Sequence, residues 1–298
     1  MSTLAIAPTP GGVLGPIEPF KMLDIAPERY HARLDFVSKS MLSVFADSPA
    51  KFKYTYLDGG EKPESDAMRL GTAAHLYALE PEKFSGRYYV MPDGIRRDER
   101  TKAYQEQLAI AAGRTILKPS ERDQIEGMAN SLMRNPKAVA LLKGDKAIET
   151  SIFWRDAEHG VNLRCRPDVI RLSDGVIVNL KTTRSARPET FFRAAYDMHY
   201  DVSVAMESRG FQAATGRQAA EYVFLAIETE PPYIVEAFNS FEACTDEGLT
   251  YRDIGEYRLR KLLARYSECV RENRWPSYQN NISPMRVPAW ELKRLEMI

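Results

Sequence analysis

The chain has 298 residues, of which 44% are hydrophobic and 28% are charged, a composition typical of a folded globular protein rather than a disordered or fibrous one. Lysine plus arginine equals aspartate plus glutamate at 41 each, so binding to a polyanion would require basic residues gathered on one surface. No apolar run is long enough for a membrane span, and the first residues lack a secretory signal pattern. We therefore expect a cytoplasmic protein with no membrane contact.

The N-terminal half is predicted to be helical after a flexible tail. Residues 1–36 begin with many prolines and glycines, which break regular elements, and we interpret the rest, residues 37–298, as a single domain. Apolar periodicity and capping signals predict the helices of this half. They are a short helix capped by Ser38 or Ser40 and ending near Phe45, then Asp66–Leu79, Lys102–Ala112 and Ser120–Arg134.

After Gly144 the pattern changes to strands. Ala147–Arg155, Val161–Leu172 and Val176–Lys181 are predicted strands, with turns at His159-Gly160 and Asp174-Gly175. The remaining predicted elements are the helices Pro188–Tyr196 and Tyr200–Ala214, the strands Glu221–Glu228 and Tyr233–Phe238, and a helix from about Asp246 to Arg271. A helical first half followed by a sheet with crossing helices indicates an α/β fold.

The second and third predicted strands carry a candidate cluster for metal-dependent hydrolysis. Residues i and i+2 share one face of a strand, so Asn179 and Lys181 project together. Pairing across the Asp174-Gly175 turn can bring Asp168 to the same end. Hard cations such as Mg²⁺ prefer oxygen ligands, and a nearby lysine can orient water and stabilise a charged transition state.

These residues also resemble a known family. Arg166-Pro167-Asp168, followed eleven positions later by Asn179-Leu180-Lys181-Thr182-Thr183, resembles the core of the PD-(D/E)XK nucleases. Three further segments resemble the RecE, or exonuclease VIII, branch in the same order: Ser38-Lys39-Ser40-Met41-Leu42, Ser48-Pro49-Ala50 and Gly71-Thr72-Ala73-Ala74-His75. A single short motif recurs by chance, whereas four in order are specific.

The resemblance implies a restriction-endonuclease-like α/β core, with a central mixed β-sheet flanked by helices. It implies an Mg²⁺-dependent exonuclease, in which Mn²⁺ can substitute. Such an enzyme degrades one strand of linear double-stranded DNA from its 5′ end. The remaining 3′ single strand serves an annealing protein, often in phage recombination. A ring-shaped homo-oligomer around the duplex is also implied.

The family's roles transfer to positions of this chain. The implied metal ligands are His75, Asp168, Asn179 and the backbone carbonyl of Leu180. Lys181 is the implied catalytic lysine, acting with Asp168 and Asn179, and supporting roles fall to Glu149, Tyr200 and Ser203. Expected contacts with DNA or its 5′ phosphate are Ser38, Lys39, Ser40, Arg96, Arg97 and Thr182. Simpler alternatives stay open: the serines can serve only as helix caps, the arginines only as solvated surface, and Glu149 only as a surface acid.

Two positions depart from the family. Asn179 stands where the family has an acid, and Ser203 stands where it usually has glutamine. Asparagine offers an oxygen but lacks the charge that favours Mg²⁺, so Asn179 marks either an engineered knock-out or a natural change. Two hypotheses follow: an exonuclease, or a catalytically weakened protein that binds DNA ends. A third is a structure-specific endonuclease or a Cas4-like nuclease, but three scattered cysteines do not suit the iron–sulfur cluster of a Cas4-like protein.

Overall fold

The structure is a computed structural model that describes residues 21–61, 65–279 and 281–296. Its strands are β1 (Lys21–Leu23), β2 (Tyr88–Val90), β3 (Thr115–Leu117), β4 (Lys146–Ile148), β5 (Ser151–Arg155), β6 (Asn162–Cys165), β7 (Val169–Arg171), β8 (Val176–Thr183), β9 (Glu221–Glu228) and β10 (Val235–Asn239). Its helices are α1 (Pro27–His31), α2 (Lys39–Asp47), α3 (Pro49–Phe52), α4 (Asp66–Leu79), α5 (Pro81–Arg87), α6 (Lys102–Ala111), α7 (Pro119–Arg134), α8 (Pro136–Leu142), α9 (Pro188–Asp197), α10 (Tyr200–Thr215), α11 (Tyr251–Glu272) and α12 (Ala289–Arg294). A π-helical turn, Lys53–Leu57, follows α3.

A five-stranded mixed sheet lies at the centre, in the order β10-β9-β8-β7-β4. Strands β8 and β9 are parallel and the other neighbours are antiparallel. Helices α9 and α10 connect β8 to β9, which is the crossover that parallel strands require. The prediction of a central mixed sheet flanked by helices is confirmed.

Alternation along β8 divides the apolar residues between the two faces of this sheet. Ile177 packs into a cluster with residues of α2, α10 and α11, whereas Val178 and Leu180 pack with residues of α4 and α7. Both faces are therefore covered, as expected for a strand that is almost continuously apolar. The same alternation directs Asn179 towards the α10 side and Leu180 towards the α4 side.

Two strands predicted from the sequence are each broken into two. The predicted strand Ala147–Arg155 is β4 and β5, and Val161–Leu172 is β6 and β7. The break in the second falls at Arg166-Pro167-Asp168, because proline has no N–H to donate to a ladder. Strands β4 and β7 belong to the central sheet, while β5 and β6 pair in a separate antiparallel sheet of order β1-β5-β6. The chain thus crosses between the sheets at both breaks.

The predicted tail is wrong for residues 21–36. Strand β1 pairs antiparallel with β5, and Tyr30 of α1 is buried against Phe153. These elements have three and five residues, too few to show a readable apolar period. Residues 1–20 of the predicted tail lie outside the described residues, and the prediction of one domain over residues 37–298 stays a prediction.

The long C-terminal helix starts later than predicted, at Tyr251 rather than near Asp246. A capping box fixes its start, because the Asp253 N–H donates to Thr250 Oγ1 at 3.1 Å and the Thr250 N–H donates to Asp253 Oδ2 at 2.9 Å. In the part of the chain that the structure describes, no helix combines the length and apolarity needed to cross a membrane.

Glycine allows α10 and α11 to pack in backbone contact. A Cβ atom at Gly255 of α11 would overlap the backbone carbonyl of Asp201 in α10. On another side of α10, a Cβ at Gly210 would lie 2.7 Å from Cys165 Sγ. Residues 201–211 of α10 are almost entirely buried, so this helix is held firmly between α11 and the sheets.

We predict that Gly255→Ala destabilises the fold by about 3 kcal/mol, the upper part of the range for overpacked sites. The added methyl group must displace a backbone carbonyl, which cannot rotate away as a side chain can. The matched control is Gly86→Ala in α5, where nothing lies within 4 Å of the added atom and helix propensity favours alanine. Urea denaturation measures both variants, and equal stability of the two would contradict the prediction.

Candidate metal centre

Strand register places three candidate residues side by side. In the central sheet Ile148 of β4 pairs with Val169 of β7, and Val169 pairs with Val178 of β8. Continuing both antiparallel registers by one residue aligns Glu149, Asp168 and Asn179 across three adjacent strands. The Glu149 N–H donates to the Asp168 carbonyl at 3.0 Å, which confirms the first alignment.

Helix α4 brings His75 to this row from one face of the sheet. Gly71, one turn earlier, permits a close approach, since a Cβ there would lie 3.0 Å from Thr182 Oγ1 of β8. His75 Nδ1 is 3.6 Å from Asp168 Oδ1. The candidate ligand atoms of His75, Glu149 and Asp168 all lie within 4.8 Å of one another. The sequence prediction that His75 joins Asp168 therefore agrees with this geometry.

Asp168 is buried and held by the backbone of β8. Its Oδ2 accepts the Leu180 N–H at 2.6 Å, while Oδ1 faces His75. Burial acts to raise the pKa of Asp168, but the charge and hydrogen bond of His75, the Lys181 ammonium and the Leu180 N–H outweigh it, so the pKa lies below its usual value. The side chain is thus an ionised carboxylate with one oxygen directed at the cluster.

Glu149, expected in a supporting role, lies in this cluster with His75 and Asp168. It lies directly after β4 in a left-handed conformation, φ 49°, which is unfavourable for a residue with a Cβ and which recurs at functional sites. Burial and the Asp168 charge raise the pKa of Glu149 to about 7. A cation between the two carboxylates would relieve that repulsion.

Asn179 and Lys181 project together from β8, as predicted, on the side of α10. The Lys181 ammonium donates to Asn179 Oδ1, and it also donates to the Leu180 carbonyl at 3.2 Å. Lys181 Nζ lies 5.2 Å from the centre of the Tyr200 ring, within the range of a cation–π contact. Tyr200, at the start of α10, therefore helps to place the lysine.

Lys39 reaches the same ring from helix α2. Its Nζ lies 5.3 Å from the centre of the Tyr200 ring and donates to the Met198 carbonyl. Burial and the nearby Lys181 charge lower the pKa of Lys39 to about 8. Ser38 caps α2 by accepting the Met41 N–H at 3.4 Å, and its hydroxyl lies 3.0 Å from that of Ser40. This segment therefore joins the candidate site.

The remaining predicted residues lie in the loop after β2, in β8 and in α10. Arg97 donates to Glu121 of α7 at 2.7 Å and Arg96 is exposed on the same loop, so their contact with DNA stays a prediction. Thr182 lies beside Gly71 of α4. Ser203 is buried in α10, one helical turn before a residue that the sequence analysis did not identify, Glu207.

Glu207 is a buried acid behind Asn179, with only 7% of its surface exposed. Its Oε2 accepts the Tyr222 hydroxyl at 2.8 Å, and both of its oxygens lie 3.4 Å from Asn179 Nδ2. Burial and the Asp168 charge raise the pKa of Glu207 to about 7. The sequence does contain one signal, an acid within an otherwise buried helix, since such a group needs a partner.

The donor set fits a divalent cation. Two carboxylates and an imidazole converge, and the oxygens of Asn179 and Leu180 accept from the Lys181 ammonium beside them. Carboxylate, carbonyl and water oxygens suit Mg²⁺ and Mn²⁺. Burial and the neighbouring Asp168 charge both disfavour an ionised Glu149 and raise its pKa to about 7.

We predict that Glu149→Gln removes a pH-dependent loss of stability from the metal-free protein. Because the folded state raises the pKa of Glu149 to about 7, it binds the proton more tightly than the unfolded chain, so stability falls as pH rises from about 5 to about 7. At about pH 8 the variant should be more stable than the wild type by about 1–3 kcal/mol, and the gain should vanish near pH 4.

Urea denaturation in EDTA measures this difference. Glu158→Gln, an exposed acid on the β5–β6 turn, is the control and should follow the wild-type pH profile. If the free energy of unfolding depends on pH in the same way for Glu149→Gln and the wild type, the prediction is contradicted.

Comparison with known proteins identifies the family and the fold. The family model described as "PDDEXK-like domain of unknown function (DUF3799)" matches residues 38–288. The crystal structure of a Eubacterium rectale protein described as a "Putative exonuclease" has the same fold, with a TM-score of 0.60 and 13% identity over 91% of this chain and 98% of that one. The crystal structure of SSO0001 covers 74% of this chain and 90% of its own at 15% identity, with a TM-score of only 0.30. No curated protein matches the sequence.

The chain belongs to the PDDEXK-like DUF3799 family and has a restriction-endonuclease-like α/β fold.

Proposed function

We propose that this protein is a divalent-metal-dependent DNA exonuclease of the RecE type, which degrades one strand of linear duplex DNA from its 5′ end. The observation that carries the proposal is the row formed by Glu149, Asp168 and Asn179, with His75 on one side and Lys181 on the other. The family and the fold support nuclease chemistry, and the four ordered sequence motifs support the RecE branch.

Glu149, Asp168 and His75 would hold the cation, together with the side-chain oxygen of Asn179 and the Leu180 carbonyl. A bound Mg²⁺, or Mn²⁺ in its place, would activate water and neutralise charge on the scissile phosphate. The protein's contribution is to fix these donors. Asp168 is oriented by the Leu180 N–H, and Glu149 is attached to Asp168 by a backbone hydrogen bond.

Lys181 is the proposed catalytic lysine. Its ammonium is held beside the site by the Asn179 oxygen, the Leu180 carbonyl and the Tyr200 ring. From this place it can hydrogen-bond the attacking water or a phosphate oxygen. A fixed positive charge in a partly buried site stabilises developing negative charge more than it would in water.

Lys39 is the proposed contact for the 5′ phosphate. Lys39 and Lys181 approach one Tyr200 ring, and burial together with the Lys181 charge lowers the pKa of Lys39 to about 8. An anion beside the two lysines offsets this effect. Lys39 also begins helix α2, where the N–H groups and the helix dipole favour a phosphate.

The resemblance supports further proposals about partners. We propose that a ring-shaped homo-oligomer encircles the duplex in the cytoplasm, and that a single-strand annealing protein receives the 3′ strand. Asn179 supports a second candidate function, a protein of the same fold that binds DNA ends with weakened catalysis, because the family acid is missing at this position.

The test is digestion of linear duplex DNA labelled at its 5′ or 3′ ends, with Mg²⁺, Mn²⁺ or EDTA. We expect cation-dependent release of the 5′ label and survival of the complementary strand. Lys181→Ala should reduce the rate by about 10²–10³-fold, as for loss of one oxyanion donor. The control is Lys102→Ala, whose side chain is 92% exposed, and it should digest DNA at the wild-type rate.

Other outcomes would reject the exonuclease. Cleavage of covalently closed circular DNA would indicate an endonuclease instead. Tight binding of DNA ends by the wild type, with no digestion in either metal, would favour the end-binding protein.

A further inference from the structure

We propose that Glu207 is a positioning residue that supplies the negative charge missing at residue 179 and directs the Asn179 oxygen towards the metal. This inference rests on the proposed metal site and deepens it. In this arrangement Asn179 on β8 supplies the ligand oxygen, and Glu207 on α10 supplies the negative charge.

The hydrogen-bonding partners of Asn179 fix the orientation of its amide. The Glu207 carboxylate, when ionised, only accepts hydrogen bonds, so it must face the NH₂ group of Asn179. The Lys181 ammonium only donates, so it must face the oxygen. A flipped amide would set donor against donor and acceptor against acceptor. The amide oxygen is therefore directed to the Lys181 side.

Packing fixes Glu207 in place. The Tyr222 hydroxyl of β9 donates to it at 2.8 Å, and α10 is held through Gly210 and Gly255. Tyr222 and Asn179, its hydrogen-bond partners among the described residues, are both neutral. The positive charge nearest in the network is Lys181, which reaches Glu207 through the Asn179 amide. The Glu207 carboxyl group is thus directed at Asn179 and, through it, at Lys181.

The short distance between the two side chains predicts that acids at the two positions exclude each other. A carboxylate at residue 179 would replace the NH₂ group now 3.4 Å from both Glu207 oxygens. Two carboxylates at this distance cannot both ionise readily. An acid is therefore useful at 179 or at 207 but not at both, and Asn179→Asp alone does not recreate the family site.

The test is a swap of the charge between the two positions. The variants are Glu207→Gln, Asn179→Asp and the double variant, with Asp201→Asn as a control that removes another buried acid from α10. Calorimetric titration of EDTA-treated protein with Mn²⁺ measures the affinity. Thermal unfolding without metal, at low and neutral pH, measures the effect on the fold.

Glu207→Gln should weaken Mn²⁺ binding by about 10–100-fold, the usual effect of losing a residue that orients a ligand. Asn179→Asp should not tighten binding. The double variant should recover wild-type affinity within about threefold, although Glu207→Gln alone weakens it. Asp201→Asn should bind Mn²⁺ like the wild type, even where its melting temperature falls.

The inference is overturned if Glu207→Gln binds Mn²⁺ as the wild type does. It is also overturned if Asn179→Asp tightens Mn²⁺ binding in the wild-type background, or if the double variant binds Mn²⁺ no better than Glu207→Gln. Either result leaves the proposed metal site intact. A wild-type protein that binds no Mn²⁺ overturns both the inference and the metal site. Mn²⁺ binding without DNA digestion rejects the nuclease alone, so the failures are distinguishable.

Discussion

Strand β7 is antiparallel to both of its neighbours, and that pairing sets the arrangement of the site. The residue before it, Asp168, meets the end of β4 on one side and the middle of β8 on the other. Two acids are brought together at Glu149 and Asp168, where burial makes their charges costly. A bound cation would offset this cost. The His75 helix, the Lys181 ammonium and helix α10 are all placed around this row.

Pro167 explains why the row lies where two sheets separate. It interrupts the ladder between β6 and β7, so the chain leaves the sheet of β5 and β6 and enters the central one. The left-handed Glu149 makes the corresponding break between β4 and β5. At the two breaks the side chains of Glu149 and Asp168 meet in one cluster. In regular strands, successive side chains would continue to alternate between the two faces of the sheet. The interruptions of the strands therefore also form the candidate site.

Part of this site can be predicted from the sequence because its signals are local. The period of two on β8 places Asn179 with Lys181, and the short turn after β7 brings Asp168 near them. The resemblance adds His75 through its glycine-containing motif. Glu149 is different, because its role depends on the pairing of β4 with β7, which no short pattern records. Glu207 depends on which face of α10 packs on the sheet, a tertiary contact that periodicity cannot supply in a helix buried on all sides.

The position of Glu207 changes how Asn179 is interpreted. From the sequence alone, asparagine there is simply a missing acid, either engineered or lost. In the structure the amide lies between an acid and a lysine that together fix its orientation. The proposed division of an oxygen on β8 and a charge on α10 would keep the total charge of the site while moving it by one side chain.

The most direct test of the metal centre is anomalous diffraction from crystals soaked in Mn²⁺. We predict one strong peak between the side chains of His75, Glu149 and Asp168, with donor atoms about 2.0–2.2 Å from the ion. A peak elsewhere in the protein would contradict the proposed metal centre. So would the absence of any peak in a crystal in which these three side chains have the arrangement described.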